Sequence, residues 1–100
     1  MPMMCGGTGA VKAADSTVQE LCDQVKAELE QKHGKQFDTF VAVSYKTQLV
    51  NGTNYFVKVQ VGDEEYYHVR IHKALPHEQG KVTLSTSQTG KTKEEEISYI

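Results

Sequence analysis

Two cysteines are the side chains of this sequence that could serve as thiol nucleophiles. A catalytic cysteine needs a lowered thiol pKa and a histidine base within reach. Cys22 instead lies in an apolar stripe at helical spacing, which predicts packing in a core. Cys5 lies among glycines, where no rigid element would hold a base beside it. The sequence therefore favours a protein that is not an enzyme, and a small thiol enzyme is the weakest alternative.

The histidines and acidic residues do not form a metal-binding pattern. No cysteine or carboxylate accompanies a histidine at zinc-ligand spacing, and the two acidic triplets lack the order of a calcium loop. We expect no metal and no cofactor. His68 and His72 share one parity of a strand-like segment, so we predict that both lie on a solvated strand face.

The segment from Gln48 to Gly52 combines an apolar tip with a turn signal. Asn51-Gly52 favours a two-residue turn in which both central residues have positive φ, as in tight β-hairpins. Leu49 and Val50 stand beside this turn, where polar side chains are usual. Apolar side chains at a solvent-facing turn indicate a surface that contacts another molecule.

A second apolar loop has the sequence Leu75-Pro76-His77-Glu78. Taken alone, its proline merely ends a strand, because proline cannot donate to the ladder. In an antiparallel meander, however, this loop and the Asn-Gly turn project from the same edge, together with the glycine-rich N-terminus. Three small contact elements on one edge would form a wedge suited to a cleft.

The elements that must position these loops follow from periodicity. Residues 1–14 have no apolar period and are predicted to be flexible. A helix is predicted over residues 16–32, with Ser16 as N-cap, Gln19 completing a capping box and Gly34 as a left-handed C-cap.

Period-2 alternation predicts an antiparallel meander after the helix. The helix would pack across the apolar face of this sheet, which makes the fold class α+β. The predicted strands cover residues 37–48, 55–61, 67–72 and, more weakly, 82–86, and residues 97–100 form a short apolar ending.

Length and composition limit the number of domains, the classes of partner and the cellular location. One hundred residues form one domain, 1–100, and a net charge of −2 with dispersed charges predicts neither a nucleic-acid nor a membrane partner. Residues 1–9 lack the apolar core of a signal peptide, and no apolar run reaches the ~20 residues of a membrane span. With two unpaired cysteines, a reducing cytoplasmic location is expected.

In the two apolar loops and at its N-terminus, the chain resembles the stefins, the cytosolic branch of the cystatins. Gln48 to Gly52 matches the family's Gln-x-Val-x-Gly loop, Leu75-Pro76-His77-Glu78 matches the second stefin loop, and the opening Met3-Met4-Cys5-Gly6 is also similar. The resemblance runs from Met3 to the C-terminus, and the three motifs occur in the family's order.

The resemblance implies a cystatin fold, in which a five-stranded antiparallel sheet wraps around one helix and the first strand comes from residues near 6–11. It also implies reversible, tight inhibition of papain-like cysteine proteases such as the cathepsins. Gln48 would support the first loop from its base. The implied protease-binding residues are Met4, Cys5 and Gly6 of the trunk, Gln48, Leu49, Val50, Asn51 and Gly52 of the first loop, and Leu75, Pro76 and His77 of the second.

An alternative from another class is an assembly module that keeps the cystatin scaffold without inhibiting proteases. Its edge strands and its first loop, acting as a hinge, would permit a domain-swapped dimer, and Cys5 would permit a disulfide-linked one. We expect a monomer.

Overall fold

Residues 9–98 and 100, which the computed structural model describes apart from the Glu78 side chain, form one α-helix and a five-stranded antiparallel sheet. The strands lie in the order in which they occur along the chain. The predicted α+β fold with one helix and five antiparallel strands is confirmed. The elements are β1 (Lys12–Ala13), α1 (Ser16–His33), β2 (Val41–Val50), β3 (Gly52–Gln60), β4 (Tyr66–Lys73), a 3₁₀ turn (Pro76–Glu78) and β5 (Val82–Lys91).

Strand β1 comes later in the chain than the expected range of residues 6–11. It pairs with β2, and the backbone N–H of Ala14 continues the contact by donating to the Val43 carbonyl at 3.1 Å. Residues 9–14, the end of the segment predicted to be flexible, are thus placed along β2. The rest of that segment lies outside the described residues.

The N-cap of helix α1 lies one residue before the predicted one. The N-cap is Asp15 rather than Ser16, because the Asp15 carboxylate accepts from the Val18 N–H at 2.9 Å. The predicted capping-box residue Gln19 bonds β2 instead, accepting from the Ala42 N–H at 2.9 Å and donating to the Phe40 carbonyl at 3.1 Å. The predicted C-cap is confirmed, since Gly34 has φ +64° and caps the Glu30 carbonyl.

The main core lies between the helix and one face of the sheet. The apolar stripe of α1 is buried against the odd-numbered residues of β3 and β4. Cys22 is fully buried within this stripe, which confirms its predicted packing role. The core includes Val18, Leu21, Cys22, Val25 and Leu29 from the helix and Val57, Val59, Val69 and Ile71 from the strands.

The opposite face of the sheet is also covered, contrary to the prediction of a solvated polar face. His68 is 0% exposed and pairs directly with Lys58, which is 7% exposed. The segment after β5 supplies the cover: the Lys58 ammonium donates to the Lys93 carbonyl, and Ile97 is 2% exposed. The predicted alternation was correct, but the prediction of solvent exposure was wrong for His68.

The largest differences from the predicted strand boundaries are at the start of β2 and the end of β5. β2 begins at Val41 rather than at residue 37. Phe37 and Phe40, which precede it, are buried and stack with their ring centres 5.3 Å apart. β5 continues to Lys91, well beyond the predicted residue 86, because its pairing with β4 extends as far as Tyr66.

Candidate functional site

The first loop, residues 49–52, presents apolar side chains to solvent at the tip of the β2–β3 hairpin. Leu49 is 80% exposed and Val50 is 46% exposed, while Asn51 is also exposed. The strands on either side pair up to Val50 and Gly52, so the loop projects from a continuous ladder. This is the arrangement expected of a contact surface held on a rigid support.

The turn itself differs from the predicted two-residue turn. Leu49 pairs with Thr53 and Val50 with Gly52, which leaves Asn51 alone at the tip. Of Asn51 and Gly52, only Gly52 has a positive φ, at +105°. The strand pairing therefore continues to the two residues on either side of Asn51, and the predicted two-residue turn and the predicted positive φ at Asn51 were wrong.

Gly52 is required where the hairpin approaches β4. A Cβ atom at this position would lie 2.5 Å from the Lys73 carbonyl oxygen and 3.0 Å from Cε1 of His72. Both distances are shorter than an ordinary van der Waals contact, and the positive φ is also unfavourable for other residues. The glycine thus permits the first loop to lie directly against the end of β4.

A row of polar side chains crosses the sheet beneath the first loop. The Asn54 amide nitrogen donates to the Gln48 amide oxygen at 2.9 Å, and the Asn54 amide oxygen lies 2.9 Å from Nδ1 of His72. Gln48 is buried, at 5% exposure, so its predicted position at the base of the loop agrees with the structure. Sequence reasoning did not identify Asn54 and His72 as part of this row.

The second loop, residues 74–81, lies beside the first. Thr53 of β3 pairs with Lys73, the last residue of β4, so the two loops leave neighbouring strand ends. Leu75 is half-buried, whereas Pro76 and His77 are exposed. Backbone bonds close this loop, because Gly80 donates to the Leu75 carbonyl at 3.1 Å and Ala74 to Lys81 at 2.8 Å. We call the two loops together the two-loop edge.

The described part of the chain begins close to this edge. The Gly9 N–H donates to the Thr47 carbonyl at 2.9 Å, two residues before the exposed Leu49. Met4, Cys5 and Gly6, the predicted trunk contacts, lie outside the described residues. The structure therefore brings together the predicted residues of both loops but does not describe those of the trunk.

The chemistry of the described residues offers no thiol nucleophile at this edge. Cys22 lies in the core, and burial, with a smaller contribution from Asp23, raises the pKa of its thiol to about 12. Within the described ranges no group of His, Cys, Asp and Glu side chains is arranged to hold a metal ion. The helix in the described part of the chain is not long and apolar enough to cross a membrane.

The fold and the two exposed loops agree with comparisons to known proteins. The family model for the cystatin domain matches residues 6–94, and the chain belongs to the cystatin family. Within it, the chain is 53% identical over 98 residues to cystatin-B of Macaca fuscata fuscata and 50% identical over 98 residues to that of Homo sapiens. Each alignment covers 98% of this chain and 100% of the relative.

Another relative extends the similarity over the whole chain. Cystatin-B of Oplegnathus fasciatus is 46% identical over 100 residues, which is 100% of both chains. The resemblance to stefins is thereby confirmed. The protein is an inhibitor of cysteine proteases and not an enzyme.

Proposed function

We propose that this protein inhibits papain-like cysteine proteases reversibly and tightly by inserting the two-loop edge, together with its N-terminal trunk, into the active-site cleft. The observation that carries the proposal is the exposure of Leu49 and Val50 at the tip of a paired hairpin, directly beside the second loop. Burying apolar surface of this kind in a cleft releases water and favours binding.

Rigidity supports tight binding. The first loop is closed by the pairs Leu49–Thr53 and Val50–Gly52 and rests against Lys73, while backbone bonds close the second loop. A surface that is already ordered loses little conformational entropy when it docks.

The same pairing explains why the inhibitor would not be cleaved as a substrate. A peptide lying along a protease cleft is extended, as in other strand-like modes of recognition. The residues on both sides of Asn51 pair with each other, so extending the loop would require breaking the end of the hairpin. The loop therefore blocks access to the catalytic thiol without presenting a peptide bond to it.

Each contact element has its own role in the proposal. Leu49, Val50, Asn51 and Gly52 occupy the centre of the cleft, and Gln48 holds the loop from below. Pro76 and His77 cover one side, with Leu75 as the half-buried base of the second loop. Met4, Cys5 and Gly6 cover the other side.

The proposed partners are cathepsins, the proposed location is the cytoplasm, and the proposed active form is a monomer. These points rest on the family resemblance, and the cytoplasmic location also rests on the presence of only two cysteines, which lack the spacing of a disulfide framework. The dispersed charge and the net charge of −2 support neither a nucleic acid nor a membrane as partner.

The test is a titration of papain whose active sites have been counted, with residual hydrolysis of a fluorogenic substrate as readout. We expect a stoichiometric, reversible loss of activity and recovery of the inhibitor intact. Val50→Asp should weaken binding by at least ~2 kcal/mol if this tip is a hot spot. Val41→Asp is the matched control, because Val41 is similarly exposed, at 49%, at the other end of β2.

The oligomeric state is tested in the same samples by size-exclusion chromatography. An active monomer supports the proposal. A folded monomer that does not inhibit papain contradicts it and leaves the assembly module as the alternative. A dimer that lacks activity indicates that domain swapping has redirected the first loop.

A further inference from the structure

The polar row beneath the first loop ends at a histidine on β4. Gln48, Asn54 and His72 stand directly opposite one another on three neighbouring strands. Side-chain bonds of 2.9 Å join Gln48 to Asn54 and Asn54 to His72. The row thus links the β2–β3 hairpin, which carries the first loop, to β4, which leads into the second.

The direction of these bonds assigns a role to each side chain. Asn54 uses its amide nitrogen to donate to Gln48, so its amide oxygen faces His72. This oxygen can only accept, and the contact therefore requires a proton on Nδ1 of His72. His72 is the donor that completes the row.

His72 also touches the first loop at Gly52. A Cβ on Gly52 would lie 3.0 Å from Cε1 and 3.1 Å from Nε2 of His72, so the ring packs against the glycine backbone. Lys73, the next residue along the chain, presents its carbonyl oxygen to the same glycine. His72 therefore contacts the first loop and lies in β4 just before the second loop begins.

We propose that His72 is a positioning residue for inhibition: it donates a hydrogen bond to Asn54 and thereby holds the first loop in its binding position relative to the second. This inference rests on the proposed function of the two-loop edge. It adds to that function a residue that lies below the contact surface rather than on it.

The test measures papain inhibition by His72→Phe, which keeps a planar ring against Gly52 but removes the donor. We expect the dissociation constant to rise about threefold to tenfold, mainly through faster dissociation, because a single hydrogen bond of this kind contributes modestly. His72→Asn places a donor the same number of bonds from Cβ and should stay within about twofold of the unmodified protein.

Two further variants separate positioning from general stability. Asn54→Leu should raise the dissociation constant at least as much as His72→Phe, because it removes the bond to Gln48 as well as the bond to His72. The double variant should show no rise beyond that of Asn54→Leu, because the His72 bond is already lost in that variant. His33→Phe is the matched control. His33 is a half-buried histidine whose Nε2 lies 3.0 Å from the Ser87 hydroxyl, and its change should affect unfolding without affecting inhibition.

An unchanged dissociation constant for both His72→Phe and Asn54→Leu would overturn the inference, as would an equal rise for His33→Phe. Amide hydrogen exchange across residues 49–53 gives an answer that does not depend on the protease. Faster exchange in His72→Phe than in the unmodified protein supports the positioning role, and equal exchange contradicts it. If the unmodified protein fails to inhibit papain, the proposed function fails, while the exchange measurement still decides the role of His72.

Discussion

His68 should make the stability of this protein depend on pH in the mildly acidic range. Its side chain is 0% exposed, and neither ring nitrogen has a hydrogen-bond partner among the described residues. Burial lowers the pKa of His68 to about 4, with further lowering by the cations of Lys58 and Lys91 and an opposing effect of Glu95. The fold therefore holds this imidazole in its neutral form.

The sign and size of the effect follow from linkage. Above the unfolded-state pKa of about 6.5, His68 is neutral in both the folded and the unfolded protein, so its burial does not lower the free energy of unfolding through proton binding. As the pH falls from about 6.5 to about 4, the unfolded chain binds a proton that the folded protein does not, so stability is lost. A pKa difference of about 2.5 units corresponds to a loss of about 3 kcal/mol, at 1.36 kcal/mol per unit. That loss is a large part of the free energy of unfolding of a typical domain, which is ~5–15 kcal/mol.

The assay compares urea unfolding of the unmodified protein and His68→Leu from about pH 7.5 to about pH 4. Carboxylates titrate in both proteins and largely cancel in the difference. We expect the difference in unfolding free energy to shift by about 3 kcal/mol in favour of the variant as the pH falls through this range. A difference that stays constant with pH, or an NMR titration of His68 with a pKa near 6.5, would refute the reasoning.

Three further substitutions or reactions test the positions of single residues. Gly52→Ala should destabilise the protein by more than ~1–2 kcal/mol, because it adds a close contact with Lys73 to the cost of a positive φ. The control in urea unfolding is Gly34→Ala, since Gly34 has φ +64° but an added Cβ there would have no atom within 4 Å. Equal losses of stability in the two variants would contradict the contact with Lys73. Asp15→Ala should cost about 1 kcal/mol of stability without changing papain inhibition, because it removes the N-cap of α1. Ser16→Ala should cost little, and a larger loss of stability for Ser16→Ala than for Asp15→Ala would show that Ser16 is the N-cap. The Cys22 thiol, with its raised pKa, should resist alkylation at mildly alkaline pH until urea unfolds the chain, and peptide mapping that finds it labelled in the folded protein would contradict its burial.

Much of the architecture could be predicted because it depends on local pattern. The apolar stripe of α1 recurs at helical spacing, and the left-handed cap at Gly34 depends on the absence of a side chain. The alternation in β3 and β4 depends on the two-residue period of a strand. The two apolar loops stood out for the same reason, since Leu49, Val50 and Leu75 lie beside turn residues where polar side chains are usual.

The register of the β2–β3 hairpin could not be predicted from the turn sequence, because it depends on packing in the core. A two-residue turn at Asn51-Gly52 would have paired Gln48 with Tyr55, but the structure pairs Gln48 with Asn54. The observed register keeps Tyr45 and Val57 together on the face that meets the helix. A shift by one residue would turn one strand's apolar side chains away from the core, so packing overrode the local preference of the turn.

By itself, the sequence determined the helix, the strand alternation and the two exposed apolar loops, because each depends on residues that are near one another in the chain. Tertiary structure alone decided that His68 is buried, that Gly52 meets Lys73, and that Asn54 and His72 complete a polar row under the first loop. These contacts join residues that are distant in sequence. Their formation depends on which strands pair and on where the segment after β5 lies, and neither leaves a periodic signal in the chain.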